Sequence, residues 1–514
     1  MIEPQPSDPV RPATGHASSS AWRGVLASID MGSNSFRLEI GRSSASRYRR
    51  IDYLKETVRL GAGLGPDGRL SDEAAQRGLA CLARFRQRLD GIAPTQLRAV
   101  ATQTLREATN RDEFLRLAGA TLGHPIEVIS GREEARLIYK GVARLQPCEA
   151  PRLVIDIGGR STEMIIGHGA HVIRAESFRV GSVSLSMQFF PDGRFTTAAF
   201  QAAQVAAGAE LEEALVPFAR QHWRDALGSS GTAGAVSDLL RANGVTDGRI
   251  TPEALRWCMR ACLEAGSADR LQLPGLKPDR RAVLGGGLAI LYTLATHFEI
   301  DGLLPARGAL RQGVIFDLEE RRAAERHAVH HDMRDDSVAE LQQRFGVDRG
   351  QARRVEALAQ NLYRQIAPQS SLELHRELGW AAALHEIGMM VSHHDHHRHS
   401  AYLLGHVDAA GFSQSQQRGL AELVLGQRGG LRKVEAVWSD AERMRQLLAL
   451  RLAVLLCHAR LEPPQGLQLA ISGREIRLGW PPAWAARQLR SVYLLREEAE
   501  DWRRIAGWRV ELPA

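Results

Sequence analysis

The sequence predicts an α/β protein in which one kind of lobe is built twice, followed by a mainly helical domain. Three observations carry that prediction. Short apolar strands alternate with helical periods over the first 320 residues, which is the rhythm of an α/β domain. A unit of strand, Asp-x-Gly turn and strand occurs twice, as "IDMGSNSF" from residue 29 and as "IDIGGRST" from residue 155. From about residue 321 the strand rhythm gives way to a texture rich in Arg, Glu, Gln and Leu, broken only by "LQLAISGREIRLGWP" near the end.

The elements follow in order. Residues 1–21 are rich in Pro and Ser and contain no apolar stretch, so they read as a disordered leader and not as a signal peptide. A first lobe is expected over 22–138: a hairpin in "GVLASIDMGSNSFRLEIG", a third strand in "YRRIDYLKETVRL", a helix over 71–90 capped by Ser71, strands at 97–102 and 126–129 around a helix at 112–122, and a linking helix at 131–144. A second lobe is expected over 139–320. It repeats the hairpin and adds a strand in "AHVIRAESF" and helices near 196–225. Two glycine-rich stretches there, "LGSSGTAGAVSDLL" and "VLGGGLAILYTLA", each place glycines ahead of an apolar helical run, a weak anion-binding signal. The remainder, 321–514, reads as a linker helix, a helical bundle over 337–460 and a small α+β cap.

Composition narrows the class. With 514 residues, 44% hydrophobic and 24% charged, the chain is an ordinary soluble globular protein of several domains. The net charge of +7 points to an anionic partner. Only Lys55, Lys140, Lys277 and Lys433 are lysines among 66 basic residues. Arginine suits phosphate, although a biased genomic base composition explains the excess as readily. Five scattered cysteines argue against a disulfide framework and for a reducing, cytoplasmic setting, with loose attachment to a membrane surface left open. No apolar run is long enough for an integral membrane segment, and no nucleic-acid motif stands out.

Aligning the two hairpins sets Asp30 on Asp156, Gly32 on Gly158, Ser33 on Gly159, Asn34 on Arg160 and Ser35 on Ser161. Glycines let the backbone approach an anion, and the hydroxyls of Ser33, Ser35, Ser161 and Thr162 add donors. Asp30 and Asp156 at the heads of the turns would repel phosphate unless a cation lay between, most simply Mg²⁺ held partly through water. Glu133 and Glu134 open the linking helix, where carboxylates are stabilising in any case, but where one of them faces the cleft and can deprotonate water. Residues 384–406 hold seven of the eighteen histidines, crowded together instead of at helical ligand spacing, and adventitious or structural use is the leading reading.

At this point a family resemblance is evident. "IDMGSNSF", "ATQTLREA", "ISGREEARLIYKGV", "VIDIGGRSTE", "GSSGTAGAV" and "GALRQGV" resemble the exopolyphosphatase and guanosine pentaphosphate phosphohydrolase (Ppx/GppA) family. The resemblance implies two actin-like lobes of the ASKHA, ribonuclease H-like type, an HD-like helical C-terminal domain, and a homodimer. It implies Mg²⁺-dependent removal of the terminal phosphoryl group from inorganic polyphosphate or pppGpp, and it allows a monovalent cation such as K⁺. By motif, Glu134 matches the catalytic base and Arg106 the residue that neutralises charge on the transferred group. Asp156 matches the metal ligand, with Glu163 assisting and Asp30 at the equivalent turn. Gly32, Ser33, Asn34, Ser35, Gly158, Gly159, Arg160, Ser161 and Thr162 match the phosphate loops, with Gly231 and Thr232 beside them. "LGAGLGPDGRLSDEAAQRGL" and "HRHSAYLL" look closer to the exopolyphosphatase branch, with pppGpp hydrolysis and polyphosphate binding without turnover as alternatives.

The chain departs from the family pattern at three places. Arg160 stands where Gly or Ala is usual, Arg307 where an acid is common, and "LHE" at 384–386 replaces the His-Asp pair of an HD metal site. Arg160 is expected to cost about 1 kcal/mol if its φ is positive, and to reach toward the second or third phosphate of a long anion.

Overall fold

The computed structural model describes residues 24–44, 47–326, 332–463 and 465–513. The leader expected over 1–21 lies outside them.

Two five-stranded sheets of the same topology form the α/β half. The first contains β1 (Val25–Met31), β2 (Ser35–Ser44), β3 (Arg47–Thr57), β4 (Leu97–Ala101) and β5 (Ile126–Val128), in the order β3-β2-β1-β4-β5. The second contains β6 (Arg152–Ile157), β7 (Thr162–His168), β8 (His171–Phe178), β9 (Asp225–Ser229) and β10 (Leu303–Pro305), in the order β10-β9-β6-β7-β8. In each, an antiparallel hairpin meander leads through its first strand into parallel partners, β1 with β4 and β6 with β9. These are two ribonuclease H-like, actin-like lobes. Every residue of β1 and of β6 is buried, as near-continuous apolar runs at the centre of covered sheets should be.

Two helices join the lobes. Gly131–Leu145 carries the chain from β5 to β6, and Leu310–Arg326 follows β10 and packs along it. Backbone touches backbone there: a Cβ at Gly313 would come within 1.7 Å of the Leu137 carbonyl oxygen, and one at Gly141 within 2.5 Å of that of Ala309. Val100, Ile129, Leu137, Val154, Ile165 and Val314 form one apolar cluster, so elements of both sheets close on this helix pair. Gly131–Leu145 is continuous across 138/139, where the first lobe was expected to end.

Beneath that contact lies a buried ionic network. Asp317 receives Arg98 at 2.6 Å, Arg136 at 2.7 Å and Arg321 at 2.7 Å, and Arg136 also pairs with Glu133 at 2.7 Å. These arginines hold the Asp317 carboxyl well below the usual carboxylate range against the opposing effect of burial.

The third domain is helical from Met333–Arg344 to Ala441–Leu456, then closes with β11 (Gln468–Ser472), β12 (Glu475–Gly479) and β13 (Arg509–Glu511). It has its own core, from Val338 to Trp502. The mainly helical character of this domain is as the sequence predicts.

Three expectations need correction. No strand was expected after the helices near 196–225, yet Asp225–Ser229 is the parallel neighbour of β6. The glycines at 285–287 do not precede a helix. They lie within Pro278–His297, where a Cβ on Gly286 would meet the Ser182 carbonyl oxygen at 2.5 Å, so they serve close packing. The expected linker helix is the end of Leu310–Arg326 and the start of Met333–Arg344, with 327–331 outside the described residues.

Candidate active site

A cleft opens where the paired loops meet. Asp30, Gly32, Ser33, Asn34 and Ser35 line it from the first lobe, and Asp156, Gly158, Gly159 and Ser161 from the second. Glu134 joins them from the start of Gly131–Leu145, with Ser230, Gly231 and Thr232 from the helix Ser230–Ala242. The local reasons are legible. Ser130 caps the Glu134 helix by accepting the Glu133 N–H, which fixes the first turn toward the cleft. Ser230 holds a left-handed φ of 62°, a strained conformation of the kind that collects at binding sites.

The two glutamates of "GREE" have separate fates. Glu133 is bonded to Arg136 and accepts the Gly411 N–H at 2.9 Å, so it ties the linking helix to the third domain. Glu134 accepts from Arg106 Nη1 at 2.8 Å and faces the cleft. Burial pushes its carboxyl up to about 7; Arg106 opposes that rise, and Asp30 and Asp156 add to it. Glu163 lies opposite Asp156 in the hairpin and is pushed well above the usual range by burial, then by Glu134 and Asp156. Asp156 is raised by burial, partly offset by hydrogen bonds from Ser230 and Ser229.

This concentration of buried carboxyl groups suits a cation. Among the described residues no three His, Cys, Asp or Glu side chains gather as direct ligands for one ion. Mg²⁺ keeps most of its waters and needs only one or two protein carboxylates, so Asp30 and Asp156 fit a hydrated ion and not an all-protein cage. The Ser35 hydroxyl is buried without a hydrogen-bond partner in the same cleft, a donor left for a ligand.

Several expected site residues have their polar groups engaged within the protein. Thr162 donates its hydroxyl to the Val180 carbonyl at 2.6 Å and is fully buried, so it holds the strand and does not face an anion. The Gly158 N–H is closed on the Ser161 carbonyl at 2.9 Å. Arg106 spends its donors on Gln103, Ile129 and Glu134 and does not line the cleft. Arg160 has no positive φ, which removes the expected strain. It turns to Glu107 at 2.8 Å in place of reaching into the cleft.

Sequence reasoning missed two cleft arginines, Arg37 and Arg280. Arg37 was findable: it is the cross-strand partner of Asp30 and bonds it at 2.9 Å. Arg280 had no local signal, since tertiary packing brings it over Gly231, where a Cβ would meet its Nη2 at 2.1 Å. Arg37 and Arg280 also border an adjoining groove with Tyr53, Lys55, Arg307 and Arg311. Mutual repulsion is felt there: burial and Arg280 lower the Lys55 ammonium, and burial and Arg37 lower the Arg280 guanidinium.

The histidine-rich segment is divided. His396 and His397 are buried and pushed down to about 4 by burial and neighbouring cations, while His393, His394 and His406 are exposed. At the degenerate HD position, His385 is buried and lowered to about 4, and Glu386 is paired with Arg460 at 3.0 Å. A guanidinium neutralises the carboxylate there.

The repeated sheet topology defines an actin-like fold with its cleft between the two lobes. The chain belongs to the Ppx/GppA phosphatase family, whose phosphatase model matches residues 40–322 and whose domain III model matches residues 333–498. Among solved structures it is similar to an exopolyphosphatase-like protein, at 28% identity over 58% of this chain and 98% of that one, with a TM-score of 0.53. An exopolyphosphatase from Cytophaga hutchinsonii shares the fold at 24% identity, over 57% of this chain and 98% of that one, with a TM-score of 0.52. No helix among the described residues is long and apolar enough to cross a membrane.

Proposed function

We propose that this phosphohydrolase is an exopolyphosphatase, releasing orthophosphate from the end of inorganic polyphosphate. One observation carries the reading: a cleft that offers a base, Glu134, between paired Ser and Gly loops continues into a groove bordered by Arg37, Lys55, Arg280, Arg307 and Arg311. A linear polyanion needs an end-binding site and a row of cations behind it, and this surface has that form.

In this reading the terminal phosphoryl group sits between the Ser33–Ser35 and Gly159–Ser161 loops. Hydroxyls of Ser35 and Ser161 donate to its oxygens, and Arg37 and Arg280 balance the charge of the units behind it. Glu134 orients a water and takes its proton as the oxygen attacks phosphorus. The bridging P–O bond breaks, leaving the shortened chain as an anion and freeing orthophosphate. Phosphoryl transfer of this kind is mainly positioning and charge stabilisation. Asp30 and Asp156, with Glu163 behind, would hold Mg²⁺, which when bound offsets phosphate charge. The reading includes a homodimer in the cytoplasm, open to test by light scattering and fractionation.

The test supplies long-chain polyphosphate, pppGpp and ATP separately with Mg²⁺ and measures orthophosphate. Preference for polyphosphate is expected. Release from pppGpp alone would assign the nucleotide branch, and release from none would leave a polyphosphate-binding protein.

A further inference from the structure

We propose that Arg160 is a positioning residue: through Glu107, Gln103 and Arg106 it holds the Glu134 carboxylate in register with the second phosphate loop. This rests on the hydrolase reading above, in which Glu134 is the base.

The connection is continuous in side-chain hydrogen bonds. Arg160 reaches Glu107 Oε2 from Nε at 3.0 Å and from Nη2 at 2.8 Å. The other oxygen of Glu107 accepts from Gln103 Nε2 at 2.6 Å. Because that amide is oriented by its donor side, Gln103 Oε1 is left to accept from Arg106 Nε at 2.9 Å and Nη2 at 2.6 Å. Arg106 Nη1 then donates to the Ile129 carbonyl at 2.9 Å and to Glu134 Oε2 at 2.8 Å. Each group has its donor and acceptor roles set by its neighbour, so the orientation of one end constrains the other.

Arg160 belongs to the second lobe, and Gln103, Arg106 and Glu107 to the first. The residues on either side of Arg160, Gly159 and Ser161, line the cleft. Its stem passes over Gly61, where a Cβ would lie 2.9 Å from Arg160 Cδ, and its Nη1 lies 3.4 Å from the Gly61 carbonyl oxygen. The guanidinium therefore points across the lobe boundary, to Glu107 and Gly61, and not into the cleft. A glycine at 160 would leave the loop with no such link, so this chain ties the loop that cradles phosphate to the group that activates water.

The experiment uses the full chain and compares Arg160→Ala, Arg160→Lys, Glu107→Gln and the double variant Arg160→Ala with Glu107→Gln, reading phosphate release from polyphosphate with Mg²⁺. A misplaced base should lower kcat about 10- to 100-fold with KM nearly unchanged. The double variant should be no worse than the poorer single one, because both break the same connection. Arg160→Lys, which keeps the positive charge on a single donor nitrogen, should recover part of kcat. A raised KM with kcat intact would make Arg160 a phosphate contact and overturn the proposal, as would multiplying losses or wild-type rates in Arg160→Ala. Circular dichroism checks folding, and where Arg160→Ala does not fold, Arg160→Lys and Glu107→Gln carry the same comparison. If the wild type itself releases no phosphate, the hydrolase reading falls and the proposal with it; an active wild type with unaffected variants sinks the proposal alone.

Discussion

Asp156 and Glu163 face each other across the hairpin of the second lobe, where the matching positions of the first lobe set Asp30 against Arg37. One copy of the duplicated unit neutralises its aspartate internally and the other stacks two buried acids. Burial favours the protonated form of each, with the charges of Glu134 and Asp156 adding to it at Glu163 and that of Asp30 at Asp156. A divalent cation that binds beside them should therefore expel protons. Titration with Mg²⁺ near pH 6.5, by calorimetry in buffers of different ionisation enthalpy, should show proton release that Glu163→Gln reduces. Chelation should abolish turnover. Binding with no proton release would contradict this account of the acids.

The Glu134 carboxyl, pushed up to about 7 mainly by burial, sets a pH dependence. A base must be ionised, so kcat/KM should climb as pH rises toward about 7 and level off above it. Stability runs the other way for this group. Its folded pKa is raised, so its contribution is present below the ordinary carboxylate range and is lost as pH rises through about 7. The ligand-free protein should lose stability from this group over the interval in which activity rises. A flat rate profile between pH 5.5 and 8 would be inconsistent with Glu134 as base.

Gly313→Ala should force apart the two helices that join the lobes, since the new Cβ would lie 1.7 Å from the Leu137 carbonyl oxygen. Overpacking against backbone costs about 1–3 kcal/mol. Denaturant unfolding should show that loss, and phosphate release should fall because Leu137 shares its helix with Glu134. An unchanged midpoint would mean the helices have room to spare.

Asp317→Asn removes the carboxylate on which Arg98, Arg136 and Arg321 converge. Leaving buried charges without their partner costs about 3–5 kcal/mol. In the wild type the same group has a depressed pKa, so its contribution is present above the ordinary carboxylate range and is lost as pH falls through the folded value. Thermal unfolding of the variant should show a much smaller loss on acidification than the wild type.

Much of this was legible because it is local. The hairpins Val25–Ser44 and Arg152–His168, the Ser71 cap and the Glu134 helix all rest on period-two patterning, glycine turns and capping within a few residues. What was missed depends on distant partners. Strand β9, "DALGS", is short and made of small residues, and only its place beside β6 makes it a strand. Arg160 read locally as a phosphate ligand, but its partner Glu107 is 53 residues away in sequence. Thr162 looked like a loop donor until the Val180 carbonyl, brought in by the end of β8, took its hydroxyl.

The central claim, that Glu134 activates water in a cleft built for a phosphate chain, is tested most directly by Glu134→Gln, which keeps the size and removes the base. Phosphate release and polyphosphate binding are measured on the same preparation. Loss of a general base should lower kcat about 10²- to 10⁴-fold, with binding largely retained. Turnover at the wild-type rate in this variant would contradict the account.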